Sequence, residues 1–306
     1  MKKIPLIVVC GPTASGKTSL AIDIARELNT EIISADSIQI YKGLEIISAA
    51  PTEEEKALIP HHLINFKDIS EEYSVGEFTS DAKKVIEKIV KNKKIPIICG
   101  GTGLYISSLI NGIDFSQDST DPSFRKELES RSSEELYSEL LKEDPEAANW
   151  IHPNNTVRVI RALEIIKTTG STFSQYRKDA AKNESPYDAL IFFLNTRDRN
   201  VLYSRINERV DRMMAKGMHS EAMSALKKNP SKTALSAIGL KEFSLGDNLD
   251  SIISNIKQGT RHYAKRQITW FSRMENTCTL YLEDFSNKQS LSDYCITKIK
   301  EKFDCE

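Results

Sequence analysis

The stretch Gly11-Pro12-Thr13-Ala14-Ser15-Gly16-Lys17-Thr18 decides the fold of this 306-residue chain. It follows a short apolar run, Ile4 to Cys10, and leads into a helical pattern from Thr18 to Leu28. The spacing G-x-x-x-x-G-K-[ST] between a strand and a helix is typical of a loop that binds phosphate groups. Backbone N–H groups and the helix N-terminus bind the anion, the lysine neutralises it, and the threonine hydroxyl can bind Mg²⁺. We therefore predict a diphosphate- or triphosphate-binding loop at residues 11–18, with Thr18 as a ligand of Mg²⁺.

Several short apolar runs indicate the strands of a sheet. They do not alternate with polar residues, which is typical of parallel strands covered by helices on both faces. Helical patterns separate the first three runs, as expected of β-α-β units with right-handed crossovers. The sequence therefore predicts an α/β fold, with a P-loop NTPase-like parallel sheet flanked by helices. The runs are Ile4 to Cys10, Glu31 to Ala35, Ile95 to Cys99, Ala189 to Leu194 and Thr279 to Leu282.

The pattern changes to charged helical segments between about Phe115 and Pro186. Asp121 before Pro122 is a suitable N-cap and first residue for one of these helices. Because a strand of the core type follows at Ala189, this block is predicted to be an insertion into the α/β domain. We predict a catalytic core of residues 1–114 and 187–306 and an all-helical insertion domain of residues 115–186.

Composition excludes several classes of protein. The chain is 40% hydrophobic and 28% charged, as in globular proteins. No apolar run approaches the ~20 residues of a membrane span, and no secretory cleavage site follows the N-terminus, so we expect a cytoplasmic protein. Its five cysteines form no C-x-x-C pair, so neither a disulfide framework nor a zinc site is indicated. With a net charge of −1, any RNA contact must come from local basic faces.

Polar residues follow the second and third predicted strands. Asp36 comes after the run that ends at Ala35, and Thr102 lies in the glycine-rich stretch after Cys99. Because the carboxyl ends of parallel strands meet at one edge of a sheet, where ligands bind, both residues are expected beside the phosphate loop. The carboxylate of Asp36 can act as a general base, but it can equally hold Mg²⁺ or cap a turn.

Eight blocks of this sequence resemble the tRNA dimethylallyltransferase family, or tRNA isopentenyltransferases, over most of the chain. The resemblance implies Mg²⁺-dependent transfer of the dimethylallyl group from dimethylallyl diphosphate to the exocyclic amine of the adenosine just 3′ of the anticodon. The products are N6-isopentenyladenosine and diphosphate. The blocks are GPTASGKT (11–18), DSIQIYKG (36–43), PHHL (60–63), GGTGLY (100–105), Asp121-Pro122 with Arg125, HPNN (152–155) leading to Arg158 and Arg161, residues 202–217, and TRHYAKRQITWF (260–271).

The implied chemistry suits particular residues. An exocyclic amine is a weak nucleophile that must lose a proton, so Asp36 is predicted to be the general base. The diphosphate leaving group needs cations, supplied by the loop and by one of Arg205 and Arg209, which lie four apart on one helix face. The ordinary alternative for this arginine pair is surface ion pairing with Glu208 and Asp211. By resemblance, Thr102 lies near the reacting adenine.

Basic segments are predicted to bind the tRNA anticodon stem-loop, with the target base flipped out of its stack. The segment Gly259 to Met274 interleaves cations with aromatic rings, as in sites for unpaired RNA, although a core position is the alternative for Trp270 and Phe271. The insertion domain supplies a second basic face. The predicted tRNA-binding residues are Asp36, Ser37, Ile38, Gln39, Thr102, Arg125, Arg158, Arg161, Lys241, Arg261, Lys265 and Arg266.

Some features leave room for other interpretations. The sequence has Ala50, Val157 and Leu240 where the family usually has lysine, glutamine and tyrosine, as in a diverged second copy with altered tRNA choice. His61 and His62 lack a ligand cluster and are taken as structural. A kinase of a small metabolite, a prenyltransferase of free adenine nucleotides and a non-catalytic RNA-binding protein are the rival functions. We expect the enzyme to be a monomer.

Overall fold

The computed structural model of the chain describes residues 3–113, 121–182, 184–246 and 248–304. It divides into two compact units. The first consists of Met1–Ile110 with Pro186–Glu306, and the second of Asn111–Ser185. The predicted domain boundary between residues 114 and 115 lies outside the described residues. The other predicted boundary, after residue 186, lies one residue beyond the end of the second unit.

The described strands of the first unit form one sheet. They are β1 (Ile4–Cys10), β2 (Ile32–Ser34), β3 (His61–His62), β4 (Ile97–Gly100), β5 (Tyr187–Asn195) and β6 (Thr277–Tyr281). The six strands lie in the order β3-β2-β4-β1-β5-β6, and every neighbouring pair is parallel. The predicted α/β class is therefore confirmed. The edge strand β3 is not indicated by the sequence, because its two histidines form no apolar run.

Helices connect the strands and make up the second unit. In the described ranges, no helix combines the length and the apolar composition needed to span a bilayer. The helices are α1 (Lys17–Glu27), α2 (Glu45–Ser48), α3 (Glu53–Leu58), α4 (Val75–Lys91), α5 (Gly103–Ile110), α6 (Pro122–Glu129), α7 (Ser133–Glu143), α8 (Pro145–Ala148), α9 (Thr156–Thr169), α10 (Phe173–Lys182), α11 (Arg199–Ala215), α12 (Met218–Leu226), α13 (Lys232–Leu235), α14 (Leu240–Ser244), α15 (Leu249–Phe271) and α16 (Lys288–Phe303).

The central strand β1 explains why the strands are apolar throughout. Leu6 and Val8 belong to a core cluster with side chains of α4, α5, α11 and α15 on one face of the sheet. Ile7 and Val9 belong to a second cluster with α1 and α16 on the other face. All four side chains are fully buried, each contributing roughly 1.5–3 kcal/mol of hydrophobic stabilisation. The residues that point to either face of the sheet are therefore apolar.

The long helix α15 connects the core to the edge of the sheet that carries the site. Its N-cap is Asn248, whose side chain accepts a hydrogen bond from the backbone of Ser251 at 2.9 Å. Ile252, Ile256 and Phe271 are buried at helical spacing, which fixes the face that α15 turns towards the sheet. Other residues of that face reach the candidate site.

The described part of the second unit is helical, formed by α6 to α10, and has its own core. Asp121 caps α6 by accepting a hydrogen bond from the backbone of Ser123 at 2.8 Å, with Pro122 as the first helical residue. This agrees with the capping pattern in the sequence. The largest aliphatic members of the core are Leu128, Leu136, Leu140, Ile151, Val159, Ile160 and Leu163.

Candidate active site

A cavity of about 420 Å³ lies at the carboxyl edge of the sheet, within the first unit. Residues that are far apart in the sequence line it together. Lys17 comes from the phosphate loop, Asp36 follows β2, and Gly101 follows β4. Helices α11 and α15 close the cavity with Arg209 and Gln267. Together with Arg266, which also lines the cavity, the arrangement places a carboxylate and three cations around one space.

The phosphate loop has the backbone that its glycines predict. Gly11 has φ +147°, and a side chain there would collide with the carbonyl oxygen of Leu194. Gly16 adopts a left-handed conformation, φ +88°, just before α1. The hydroxyl of Ser15 is buried and has no hydrogen-bond partner among the described residues, as expected of a group that meets a ligand. The loop is therefore shaped for an anion.

Lys17 is the loop's cation. Its Nζ donates a hydrogen bond to the carbonyl oxygen of Pro12 at 2.8 Å, which keeps the side chain folded over the loop. Burial lowers the pKa of Lys17 to about 8, with the nearby charge of Arg209 acting in the same direction and Cys99 and Asp36 acting against it. A bound anion would stabilise the charged form of this lysine.

Asp36 caps a turn and also lines the cavity. Its Oδ1 accepts hydrogen bonds from the backbone N–H groups of Ile38 at 2.9 Å and Gln39 at 3.3 Å. Its Oδ2 accepts no hydrogen bond from the described part of the chain. The capping role considered from the sequence therefore occupies one oxygen, and the other is left for a ligand in the cavity.

Thr102 supports this turn from behind the cavity. Its hydroxyl oxygen accepts a hydrogen bond from the backbone of Ser37 at 3.1 Å, and it is not among the residues that line the cavity. The close approach depends on Gly100, two residues earlier, because a side chain there would overlap the backbone of Ala35. The structure thus brings Thr102 next to the Asp36 turn.

The two arginines of α11 differ in position. Arg209 is half-buried and lines the cavity, where burial lowers its pKa and Asp36 acts against that effect. Arg205 is exposed and does not line the cavity. The alternative of surface ion pairing does not apply to Asp211, which pairs with Lys257 at 2.6 Å. Of the two arginines, Arg209 is therefore the one that lines the cavity.

Sequence reasoning missed two polar residues of α15. The amide of Gln267 accepts a hydrogen bond from the backbone of Thr13 and donates one to the carbonyl oxygen of Gly101, both at 2.9 Å. Tyr263 lines the cavity one helical turn before Gln267, and burial raises its pKa to about 12. Their four-residue spacing is a sequence signal for one helix face, but it does not show what that face contacts.

The cavity also has an apolar part that the sequence did not indicate. Val210 and Met213 continue the face of α11 that carries Arg209, so the lining changes from charged to apolar along one helix. Met218 and Ile238 add to it, and Ile256 comes from α15. Such a cavity can hold a molecule with an anionic end and a hydrocarbon end.

The predicted tRNA-binding residues of the first unit fall into two groups. Ser37, Ile38, Gln39 and Arg266 line the cavity beside Asp36. The others lie outside it. Lys241 and Lys265 are exposed, and Arg261 donates a hydrogen bond to the side-chain oxygen of Asn207 at 2.8 Å. Phe271 is fully buried and Trp270 is 37% exposed, so the core alternative holds for Phe271.

In the second unit, two of the three predicted arginines pair with a buried acid. The Nη1 atoms of Arg125 and Arg161 lie 3.1 and 3.5 Å from carboxylate oxygens of Glu164, which is 1% exposed. Arg158 is exposed on the same helix as Arg161. Val157 is 70% exposed, so this departure from the family pattern lies on the surface.

The positions of Leu240 and of the two histidines are also defined. The side chain of Leu240 is fully buried, so this departure from the family pattern lies in the core. His62 bonds to Glu31 and His61 to the carbonyl of Ile59, at 2.8 and 2.7 Å, which fits a structural role. His61 also lines the cavity.

Comparison with known proteins gives consistent matches. A family model described as IPP transferase matches residues 39–274. The tRNA dimethylallyltransferase of Thermoanaerobacter sp. (strain X514) is 42% identical over 310 residues, covering 98% of both chains. That of Bacillus subtilis (strain 168) is 45% identical over 278 residues, covering 88% of both.

Solved structures agree in fold. The full-length tRNA isopentenylpyrophosphate transferase from Bacillus halodurans has a TM-score of 0.72 and 38% identity, covering 98% of both chains. A eukaryotic dimethylallyltransferase acting on tRNA has a TM-score of 0.84 and 31% identity, covering 96% of this chain and 78% of that one. With its phosphate loop, its Asp36 turn and these matches, this chain belongs to the IPP transferase family, that of the tRNA dimethylallyltransferases.

Proposed function

We propose that this protein transfers the dimethylallyl group of dimethylallyl diphosphate to the exocyclic amine of the adenosine 3′-adjacent to the tRNA anticodon. The products are N6-isopentenyladenosine and diphosphate. One observation carries the proposal: a single cavity is lined by the lysine of a phosphate loop and by a carboxylate, Asp36, with a free oxygen. Family membership supplies the substrate class, since the relatives are named as tRNA dimethylallyltransferases.

The donor binds with its diphosphate on the loop of residues 11–18. Lys17 and Arg209 neutralise the charge that grows on the leaving oxygens, and preorganised cations of this kind act most strongly in a water-poor site. The prenyl chain lies against Val210, Met213 and Met218, which line the apolar part of the cavity. At about 0.8 kcal/mol for each buried CH₂ group, a five-carbon chain gains roughly 3–4 kcal/mol there.

The acceptor adenine is flipped out of the anticodon loop, because its amine is otherwise stacked out of reach. A new bond forms between the amine nitrogen and C1 of the prenyl group as the bond from C1 to the diphosphate oxygen breaks. The amine proton passes to Oδ2 of Asp36. A positioned base contributes roughly 10² to 10⁴ in rate. Thr102 holds the Asp36 turn, and Ser37, Ile38 and Gln39 contact the base.

Mg²⁺ is the proposed cofactor. The donor set fits it, because the hydroxyl of Thr18 is a hard oxygen ligand that lines the cavity beside the phosphate loop. Among the described residues no group of three metal-binding side chains exists, which suits an ion held largely by substrate phosphates and water. When bound, Mg²⁺ neutralises the diphosphate as it leaves.

The tRNA is proposed to bind along exposed cations of both units. Lys241, Lys265 and Arg266 supply them in the first unit and Arg158 in the insertion domain of residues 115–186. Arg125, Arg161 and Arg261 are also proposed to contact the tRNA, in addition to their contacts with Glu164 and Asn207. We propose a cytoplasmic monomer, since residues of one chain suffice to line the cavity.

A panel of substrates tests this function against its rivals. The protein is incubated with Mg²⁺ and, in turn, tRNA with dimethylallyl diphosphate, AMP with dimethylallyl diphosphate, and ATP with small-metabolite acceptors. We expect prenyl transfer to tRNA alone, lost in the variant Lys17→Ala. Equal transfer to AMP would indicate an enzyme of free nucleotides, and phosphorylated product a kinase. Full function in Lys17→Ala would indicate a binding protein.

A further inference from the structure

We propose that Gln267 is a positioning residue that locks the phosphate loop to the Gly100–Gly103 turn and so holds the prenyl donor in line with the acceptor amine. This inference rests on the proposed function. Gln267 is 5% exposed and lies in the middle of the face that α15 turns towards the cavity. It takes no part in the bonds that form and break.

The orientation of the amide is fixed by its two partners. The backbone N–H of Thr13 can only donate and the carbonyl oxygen of Gly101 can only accept, so Oε1 faces the loop and Nε2 faces the turn. These bonds tie α15 to segments 254 and 166 residues away in the sequence. Glutamine offers one acceptor and one donor at this reach at every pH, because its amide does not titrate.

The absence of a side chain at Gly101 makes the contact possible. A Cβ atom at Gly101 would overlap Nε2 of Gln267, so the amide occupies the space that glycine leaves. Gly103, two residues later, lies against the ring of Trp270 in the same way. The turn after β4 is therefore fitted closely to α15 at two points, and Gln267 supplies the polar one.

The turn after β4 connects Gln267 to the proposed base. Thr102 directly follows Gly101, whose carbonyl oxygen accepts the hydrogen bond from Gln267. The hydroxyl oxygen of Thr102 in turn accepts from the backbone of Ser37, the residue next to Asp36. Gln267 of α15 thus sets the distance between the phosphate loop and the carboxylate of Asp36. Because a displacement of about 1 Å can cost 10²-fold in rate, this spacing matters more for turnover than for binding.

Three variants test the role. Gln267→Met keeps the length of the side chain and loses both hydrogen bonds. Gln267→Glu keeps the acceptor for Thr13, but as a carboxylate it has no donor for Gly101, and it regains that donor when protonated. Gln258→Glu is the matched control, because Gln258 is an exposed residue of the same helix. Each is measured for kcat, KM of the prenyl diphosphate and tRNA affinity between pH 5.5 and 8.5.

The wild-type protein provides the reference at every pH, since other titratable groups share the cavity and are common to all variants. Their effects cancel in the ratio of variant to wild-type kcat. These groups are Lys17, Asp36, His61, Cys99, Arg209, Tyr263 and Arg266.

We expect kcat to fall by about 10²-fold in Gln267→Met at every pH, with tRNA affinity within threefold of wild type. In Gln267→Glu the ratio of variant to wild-type kcat should rise about tenfold or more from pH 8 to pH 5.5. In Gln258→Glu this ratio should not change with pH. A wild-type kcat in Gln267→Met, or a flat ratio in Gln267→Glu, would overturn the role. Absence of transfer by the wild-type protein would instead reject the proposed function.

Discussion

Replacing Asp36 by asparagine separates its two roles. Asparagine keeps the Oδ1 acceptor, so the hydrogen bonds from Ile38 at 2.9 Å and Gln39 at 3.3 Å persist and the turn is preserved. The second oxygen becomes an NH₂ group that cannot take a proton. Loss of a general base lowers the rate roughly 10²- to 10⁴-fold, which corresponds to about 3–5.5 kcal/mol of transition-state stabilisation.

Single-turnover prenylation of tRNA, with enzyme in excess, measures this change at the chemical step. We expect Asp36→Asn to lose at least 10²-fold in rate while tRNA affinity and melting temperature stay at wild-type values. Asp36→Ala, the companion variant, loses the turn as well and should also lower the melting temperature. Transfer within tenfold of wild type in Asp36→Asn would refute the base. Recovery of its activity at high Mg²⁺ would identify a metal ligand instead.

Three further outcomes are expected. Burial lowers the pKa of Lys17 to about 8, so its charged form is lost as pH rises through this value. The kcat/KM for the prenyl diphosphate should therefore be level below pH 7 and fall about tenfold per pH unit well above pH 8. Arg209→Gln should lower kcat by about 10²- to 10³-fold, whereas Arg205→Gln, on the exposed side of α11, should stay within threefold, both by steady-state kinetics. Equal losses would contradict the separation of the two arginines. A plot of log Kd for tRNA against log salt should be steep, and Lys265→Ala should reduce its slope by about one, whereas a flat response would argue against phosphate contacts on α15.

The phosphate loop and the Asp36 turn could be predicted because each depends on neighbouring residues. Gly11 and Gly16 bracket the loop, and Asp36 directly follows an apolar run that predicts a strand. The topology of a parallel sheet then brings the two together. Local pattern and strand polarity therefore suffice for this half of the site.

The contribution of α15 could not be predicted, because it depends on tertiary packing. Gln267 is 254 residues from Thr13, and its sequence neighbours indicate a basic, RNA-facing helix. The pair Arg205 and Arg209 shows the same limit. A four-residue spacing places both on one face, but only packing decides which end of that face reaches the cavity. The short edge strand β3 could not be predicted either, because it contains no apolar run.

Nucleoside mass spectrometry tests most directly whether one cavity joins a prenyl diphosphate to a tRNA adenosine. Unmodified tRNA is incubated with the protein, dimethylallyl diphosphate and Mg²⁺, then digested to nucleosides. The expected result is a prenylated adenosine from the position just 3′ of the anticodon, with one diphosphate released for each. Adenosine that stays unmodified, under conditions where the protein binds both substrates, would contradict the proposed reaction.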